Sequence, residues 1–289
     1  MIQKQIVRNL KKALRLAFFQ PSVFLVRIKS NILLPVLPTI ACEIRVNNIR
    51  FQIDPSVAPV MKDMCYGFYE TEITTLLKKY VREGDICIDV GANIGYISAF
   101  ILGLVGKTGV LHSFEPVPEY CDRLKKVQQD NPEYHLVVNA AALGETEGTS
   151  KICVTSRDNI GWNTMVPNFM SKATIKEELD IPVKRLDDYI RSNELTKIRL
   201  IKIDTEGYES LVLKGLSSFF EQSNDKPILI VEIVPNAYPK LGTSLSELAD
   251  YMDRHGYCSY NTETQRKADI RTLKSAANIL YLHSSVSAL

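Results

Sequence analysis

Four acidic residues stand at or near the ends of apolar, β-forming runs. Asp89 lies in Ile86-Cys-Ile-Asp-Val90, Glu115 follows Val110-Leu-His-Ser-Phe114, Asp204 follows Arg199-Leu-Ile-Lys-Ile203, and Glu232 lies in Ile228-Leu-Ile-Val-Glu-Ile233. A carboxylate at a strand end can accept hydrogen bonds from ligand hydroxyl or ammonium groups, or take a proton from one. Each acid also has a structural reading. Glu115 and Asp204 could cap the helices that follow them. Glu232, inside an apolar strand, is costly unless paired. What favours chemistry is their recurrence at or near the carboxyl ends of four strands, where open α/β sheets bind ligands.

The first acid runs into Gly91-Ala-Asn-Ile-Gly95, and from Ile94 the apolar spacing becomes helical through Ile97, Phe100, Ile101 and Leu104. The pattern is strand, tight glycine turn, helix. Glycines let backbone approach a ligand closely, and the helix opens with free N–H groups and partial positive charge. Asp89 is poorly placed beside a pyrophosphate and suits a ligand carrying an ammonium group, such as the amino-acid end of S-adenosylmethionine. Glu115, twenty residues past Gly95, could accept two hydrogen bonds from a ribose diol. Two other readings remain. One is a nicotinamide-dependent Rossmann oxidoreductase, which the absence of GxGxxG disfavours. The other is a cofactor-binding recruitment module without catalysis, which predicts degraded glycine and acid motifs, whereas these are intact.

The elements that must position these residues follow from the rest of the chain. At 289 residues the protein can bury a full core. Residues 41–54 alternate as a hairpin turning at Asn47-Asn48, and a helix through Ile73, Leu76, Leu77 and Tyr80 leads to Gly84-Asp85. Strands at 110–114, 135–139, 199–204 and 228–233 alternate with helices at 118–130, 186–191, 207–221 and 245–255, and two strands at 257–260 and 278–283 close the chain. This alternation predicts an α/β fold, a Rossmann-like seven-stranded sheet, mostly parallel with its last strand antiparallel. Residues 1–82 form an N-terminal helix, hairpin and cover, and residues 83–289 the main domain. Residues 144–183 form an insertion with short strands, including Lys151–Thr155.

A net charge of +2 gives no electrostatic case for nucleic acid. Six scattered cysteines without a CxxC read as reduced thiols in a cytoplasmic protein. His112 and His135 lack ligand spacing and are expected in the core. Ile2, Ile6, Leu10, Leu14 and Ala17 define a basic amphipathic helix with Lys4, Arg8, Lys11, Lys12 and Arg15. It either packs on the domain or lies peripherally on an anionic membrane. The oligomeric state is not encoded in any of these patterns.

Five motifs occur in order: Asp89-Val-Gly-Ala-Asn-Ile-Gly95, Phe114-Glu-Pro-Val-Pro118, Ala142-Leu-Gly-Glu145, Arg185-Leu-Asp-Asp188 and Lys202-Ile-Asp-Thr-Glu-Gly-Tyr-Glu209. The ordered set resembles the FkbM-type family of S-adenosylmethionine-dependent methyltransferases. The resemblance implies O-methylation of a hydroxyl on a sugar, glycan or polyketide-like acceptor. It places Asp89, Gly91, Ala92, Asn93, Gly95 and Tyr96 around the methionine end of the cofactor, and Glu115 and Pro116 at the ribose. Asn139 and Ala141 fall beside the adenine, where Asn139 or backbone would make the contact, and Glu70 lies at the pocket mouth. For the acceptor, Asp204 is the candidate base or orienting acid, with Glu206 and Glu232 beside it. Those three acids could instead hold a divalent cation, since oxygen ligands suit magnesium or calcium, although no ligand set is assigned. Trp162 and Asn163, in the insertion, are candidates for shaping the acceptor pocket.

Overall fold

A computed structural model describes residues 40–156 and 161–285. Its elements in chain order are β1 (Cys42–Val46), β2 (Ile49–Ile53), α1 (Pro59–Cys65), α2 (Thr71–Tyr80), β3 (Ile86–Val90), α3 (Tyr96–Val105), β4 (Val110–Phe114), α4 (Pro118–Asp130), β5 (His135–Asn139), β6 (Ala142–Leu143), β7 (Gly148–Thr155), β8 (Ile175–Lys184), α5 (Leu186–Ser192), β9 (Ile198–Ile203), α6 (Glu209–Lys214), α7 (Ser217–Gln222), β10 (Ile228–Ile233), α8 (Leu245–Arg254), β11 (Tyr257–Asn261) and β12 (Ala277–His283). The predicted N-terminal amphipathic helix lies outside the described residues. Among the described residues no helix is long and apolar enough to cross a membrane.

The chain forms two compact units. Among the described residues, one comprises 40–44 together with 52–71, the other 45–51 together with the residues from 72 onward. In the smaller, α1 is a helix that the apolar spacing does not announce. Between it and α2, Gly67 (φ 72°) and Glu70 (φ 46°) adopt left-handed backbone through which a right-handed helix cannot run. The hairpin turn at Asn47-Asn48 belongs to the larger unit. There the Arg50 N–H donates to Asn131 Oδ1 at 2.9 Å, and Phe51 packs edge-on against Tyr96 at 5.9 Å.

The larger unit is built on a seven-stranded sheet of order β11-β12-β10-β9-β3-β4-β5. β12 runs antiparallel to both neighbours, whereas β9, β10, β3, β4 and β5 pair in parallel. This is the predicted Rossmann-like arrangement. Successive residues of β3 point to opposite faces. Ile88 and Val90 join a buried cluster with Ile201, Ile203, Val212 and Leu213, while Asp89 meets Ser98 of α3 on the other face. Helices therefore cover both faces, which is why β9 and β10 read as nearly unbroken apolar runs. Strand order reverses between β3 and β9, the point at whose carboxyl ends open α/β sheets bind ligands.

Three expectations need correction. The helix predicted over 207–221 is two helices. The Asp187 N–H donates to the Gly215 carbonyl at 3.0 Å, and the Asp187 carboxylate accepts from the Ser218 and Phe219 N–H groups at 3.0 and 2.9 Å, starting α7 afresh. The insertion is a three-stranded sheet of order β6-β8-β7. Its ten-residue β8 has alternating apolar residues Leu179, Ile181 and Val183 among charges, a half-buried pattern that the charges hide. His112 is buried, with Nδ1 2.8 Å from the Tyr189 hydroxyl, but His135 is exposed at the start of the edge strand β5. The six cysteines are free thiols.

Candidate active site

The glycine turn is tied to its neighbours by backbone. The Gly91 and Ala92 N–H groups both donate to the Phe114 carbonyl at 3.0 Å, and the Asp204 N–H donates to the Val90 carbonyl at 3.0 Å. The turn needs left-handed backbone at Gly91, Asn93 and Gly95, with φ of 77°, 53° and 89°. Asparagine tolerates this conformation because its side chain bonds locally, and Asn93 Oδ1 here accepts from the Ile94 N–H at 2.6 Å. Gly95 caps the ten-residue α3 at its N-terminus.

Glu115 is buried and faces the same turn. Its Oε2 accepts from the Asn93 N–H at 2.8 Å and its Oε1 from the Val117 N–H at 2.9 Å. Burial pushes its carboxyl up to about 7, against the pull of those two donors. A carboxylate offers about four lone-pair sites, so both oxygens can still accept from a ligand diol. Asp89, by contrast, is wholly enclosed. Ser98 Oγ donates to its Oδ2 at 2.6 Å and Lys202 Nζ lies 3.9 Å from its Oδ1. It supports the turn from beneath. Tyr96 is also buried, with its ring against Phe51, and Ala92 and Ala141 are buried. Pro116 and Asn139 are half-buried, and Asn139 Nδ2 donates to the Ser113 carbonyl at 3.3 Å. Glu70 belongs to the smaller unit.

On the other side of the turn the structure gathers Asp204, Glu206 and Glu232, with one carboxylate oxygen of each within 4.8 Å of the others. Asp204 keeps 21% side-chain exposure whereas Asp89 has none, so Asp204 is the acid of the pair that a ligand can reach. Lys202 Nζ stands 2.9 Å from Asp204 Oδ2. Glu232 is hydrogen-bonded to Asp204 and its carboxyl is pushed well up, first by burial and then by the charges of Asp204, Glu206 and Glu209. Glu206 sits in left-handed backbone at φ 52°.

Sequence reasoning passed over Glu209. Fully buried at the start of α6, its Oε1 accepts from the Thr205 N–H at 3.1 Å, the Thr205 hydroxyl at 3.0 Å and the Gly207 N–H at 2.8 Å. It shapes the loop bearing Asp204 and Glu206, and burial raises its carboxyl to about 7. The available signal was an acid in a first helical turn just after a glycine. The insertion meets this loop as well. Thr164 Oγ1 donates to the Glu206 carbonyl at 2.8 Å. Asn163 Oδ1 accepts from the Thr155 N–H at 2.9 Å, which pins the segment to β7 and leaves Trp162 58% exposed. A cavity of about 260 Å³ lies between the start of α4 and the insertion, lined by Val117, Tyr120, Val154, Thr155 and Leu179 among others.

Residues 89–258 match the methyltransferase FkbM domain family. The chain belongs to that family. The match begins near the end of β3, covers β4, β5, β9 and β10 of the large sheet and ends in β11. Among curated relatives, this FkbM-family chain is 27% identical over 176 residues to the hexuronic acid methyltransferase AglP of Haloferax volcanii, covering 61% of this chain and 67% of that protein. Among solved structures, the methyltransferase FkbM from Methylobacillus flagellatus KT is 17% identical, with a TM-score of 0.42, covering 77% of this chain and 54% of its own length. Aeropyrum pernix fibrillarin, solved with S-adenosyl-L-methionine, is 12% identical with a TM-score of 0.41, over 84% of this chain and 82% of that one.

Proposed function

We propose that this chain transfers the methyl group of S-adenosylmethionine to a hydroxyl oxygen of a sugar-bearing acceptor. The observation that carries this reading is the juxtaposition of two kinds of site across the β3–β9 switch point. A glycine turn backed by Glu115 lies on one side, and a cluster of carboxylates around Asp204 on the other. In the transfer, the acceptor oxygen attacks the methyl carbon in line with the breaking carbon–sulfur bond. S-adenosylhomocysteine leaves, and the hydroxyl proton passes to Asp204. Gly91, Asn93 and Gly95 would hold the methionine end, Glu115 the ribose hydroxyls, and Asn139 the adenine side. Lining up acceptor and methyl is the larger part of such catalysis, with proton removal added to it.

A sugar acceptor is supported by the relative that acts on a hexuronic acid and by the exposed Trp162, an aromatic face on which a sugar ring could stack. The charge of the site refines this. Asp204 and Glu206 disfavour a carboxylate beside the reacting hydroxyl, so a neutral or amino-bearing ring suits the cluster better than a uronic acid. Lys202 already supplies a cation to Asp204, and the proposal assigns no metal to the three acids. Assay after chelation tests that part.

Titration calorimetry with S-adenosylhomocysteine and with NADH separates methyl transfer from nicotinamide chemistry. Binding of NADH and not S-adenosylhomocysteine would overturn the proposal. Transfer of labelled methyl to a panel of neutral, amino and uronic methyl glycosides and glycan extracts then tests the acceptor. The basic amphipathic pattern of residues 2–17 leaves two roles, packing on the domain or a peripheral membrane contact, which co-sedimentation with anionic vesicles with and without residues 1–39 separates.

A further inference from the structure

Lys202 occupies the middle of the sheet, where an ammonium group has no place on packing grounds. It is 3% exposed within β9, whose other residues are almost all aliphatic. A buried charge is tolerated only when paired and hydrogen-bonded, and the pairing here is specific. In register, Lys202 stands opposite Asp89 on β3 and Ile230 on β10, and Asp89 stands opposite Ser113 on β4. Asp89, Lys202 and Ser113 thus share one face of the sheet, and Glu232, two residues beyond Ile230, keeps to it. Ser98 Oγ reaches from α3 to both Asp89 Oδ2, at 2.6 Å, and Ser113 Oγ, at 3.0 Å. A row of polar side chains therefore crosses four adjacent strands. It runs from under the glycine turn to the acceptor acids, and among the described residues Lys202 is its only cation.

We propose that Lys202 is a positioning residue for methyl transfer: it holds the Asp204 carboxylate ionised and oriented, and ties it to Asp89 under the cofactor turn. The inference rests on the reading of Asp204 as the acceptor base. Asp204 is crowded by acids from the elements around it: Asp89 of β3, Glu115 just after β4, Glu206 of its own loop, Glu209 of α6 and Glu232 of β10. The Tyr238 hydroxyl, just before α8, adds a further titratable group near Glu209 and Glu232. Two carboxyl groups in contact do not both ionise easily, so one of Asp204 and Glu232 keeps a proton. With Nζ 2.9 Å from Asp204 Oδ2, Lys202 assigns the charge to Asp204 and leaves the proton on Glu232. That is the arrangement in which Asp204 can accept a proton from a hydroxyl.

The test titrates the carboxyl carbons of the full chain by carbon-13 NMR, with Asp204 and Glu232 assigned from the D204N and E232Q variants. In K202M the Asp204 midpoint should rise by more than one pH unit, over tenfold in proton affinity. In K202R it should stay near the wild-type value. Affinity for S-adenosylhomocysteine should stay within about threefold in both, which also reports that the variants are folded. K202Q, which keeps a donor without the charge, replaces K202M if the latter does not fold. An Asp204 midpoint unmoved in the folded neutral variant overturns the inference and leaves Lys202 a structural ion-pair partner. Full methyl transfer by D204N would instead overturn the reading of Asp204 as base, so the two failures are distinct.

Discussion

The Asp204 carbonyl oxygen fills the space that a side chain on Gly91 would need. A Cβ built on Gly91 would stand 1.8 Å from that oxygen, and the Gly91 φ of 77° is one that other residues rarely adopt. The cofactor turn and the strand end that carries the acceptor acid are thus in backbone contact, and neither can yield without moving the other. Gly91→Ala should lose at least about 1–3 kcal/mol from backbone conformation alone, with more from the clash. Denaturant unfolding measures the loss, and S-adenosylhomocysteine titration should show weakened binding in whatever protein remains folded.

Asp204 and Glu232 touch, yet their replacement should have opposite consequences. Asp204→Asn keeps the shape and removes the base, so turnover should fall on the order of a hundredfold or more while cofactor affinity is nearly unchanged. Glu232→Gln keeps the shape and hydrogen bonding of a carboxyl that burial and the neighbouring acids push up, so turnover should stay within a few-fold of wild type. Equal losses in the two variants would mean that Glu232, too, works as a carboxylate.

Glu115 makes cofactor binding pH-dependent in a defined direction. Its carboxyl is raised to about 7 in the free protein, and hydrogen bonds donated by ribose hydroxyls favour its ionised form. Binding therefore releases a proton below that value, and affinity for S-adenosylhomocysteine should climb as pH rises through about 7 and level off above it. The same shift acts on folding with the opposite sense. A raised carboxyl favours the folded state most below its unfolded value of 4.5, and that contribution is lost as pH rises through about 7. Calorimetry in buffers of different ionisation enthalpy reads the proton release directly.

Asp187, part of a motif that suggested function, is a structural acid. Its carboxylate receives two backbone N–H groups at the start of α7 and Arg185 Nη2 at 2.8 Å. Asp187→Ala should cost about 1.5–3 kcal/mol, seen as a lower denaturant midpoint, with cofactor affinity in the folded protein unchanged. A selective loss of binding would place Asp187 nearer the site than its contacts do.

Spacing along the chain was enough to read the alternating strands and helices, the glycine turn and the acids at the strand ends, while the family was legible as a resemblance carried by five ordered motifs. These depend on residues close in sequence: period-two or helical apolar patterns, and glycines where the backbone must turn left-handed. What depended on residues far apart had no local signature. Lys202 and Asp89 are neighbours only because β9 pairs beside β3 in one register, and a slip of one residue would have turned each to the opposite face. That pairing enclosed Asp89 while leaving Asp204 open, although both sit in similar sequence settings. Asp187 starts a helix some thirty residues away, and the charges along β8 concealed a strand whose apolar face is covered only in the folded insertion. Asp204 and Glu232 became hydrogen-bonded neighbours, with the Glu232 carboxyl raised by burial and by the acids around it, only because the strands come together.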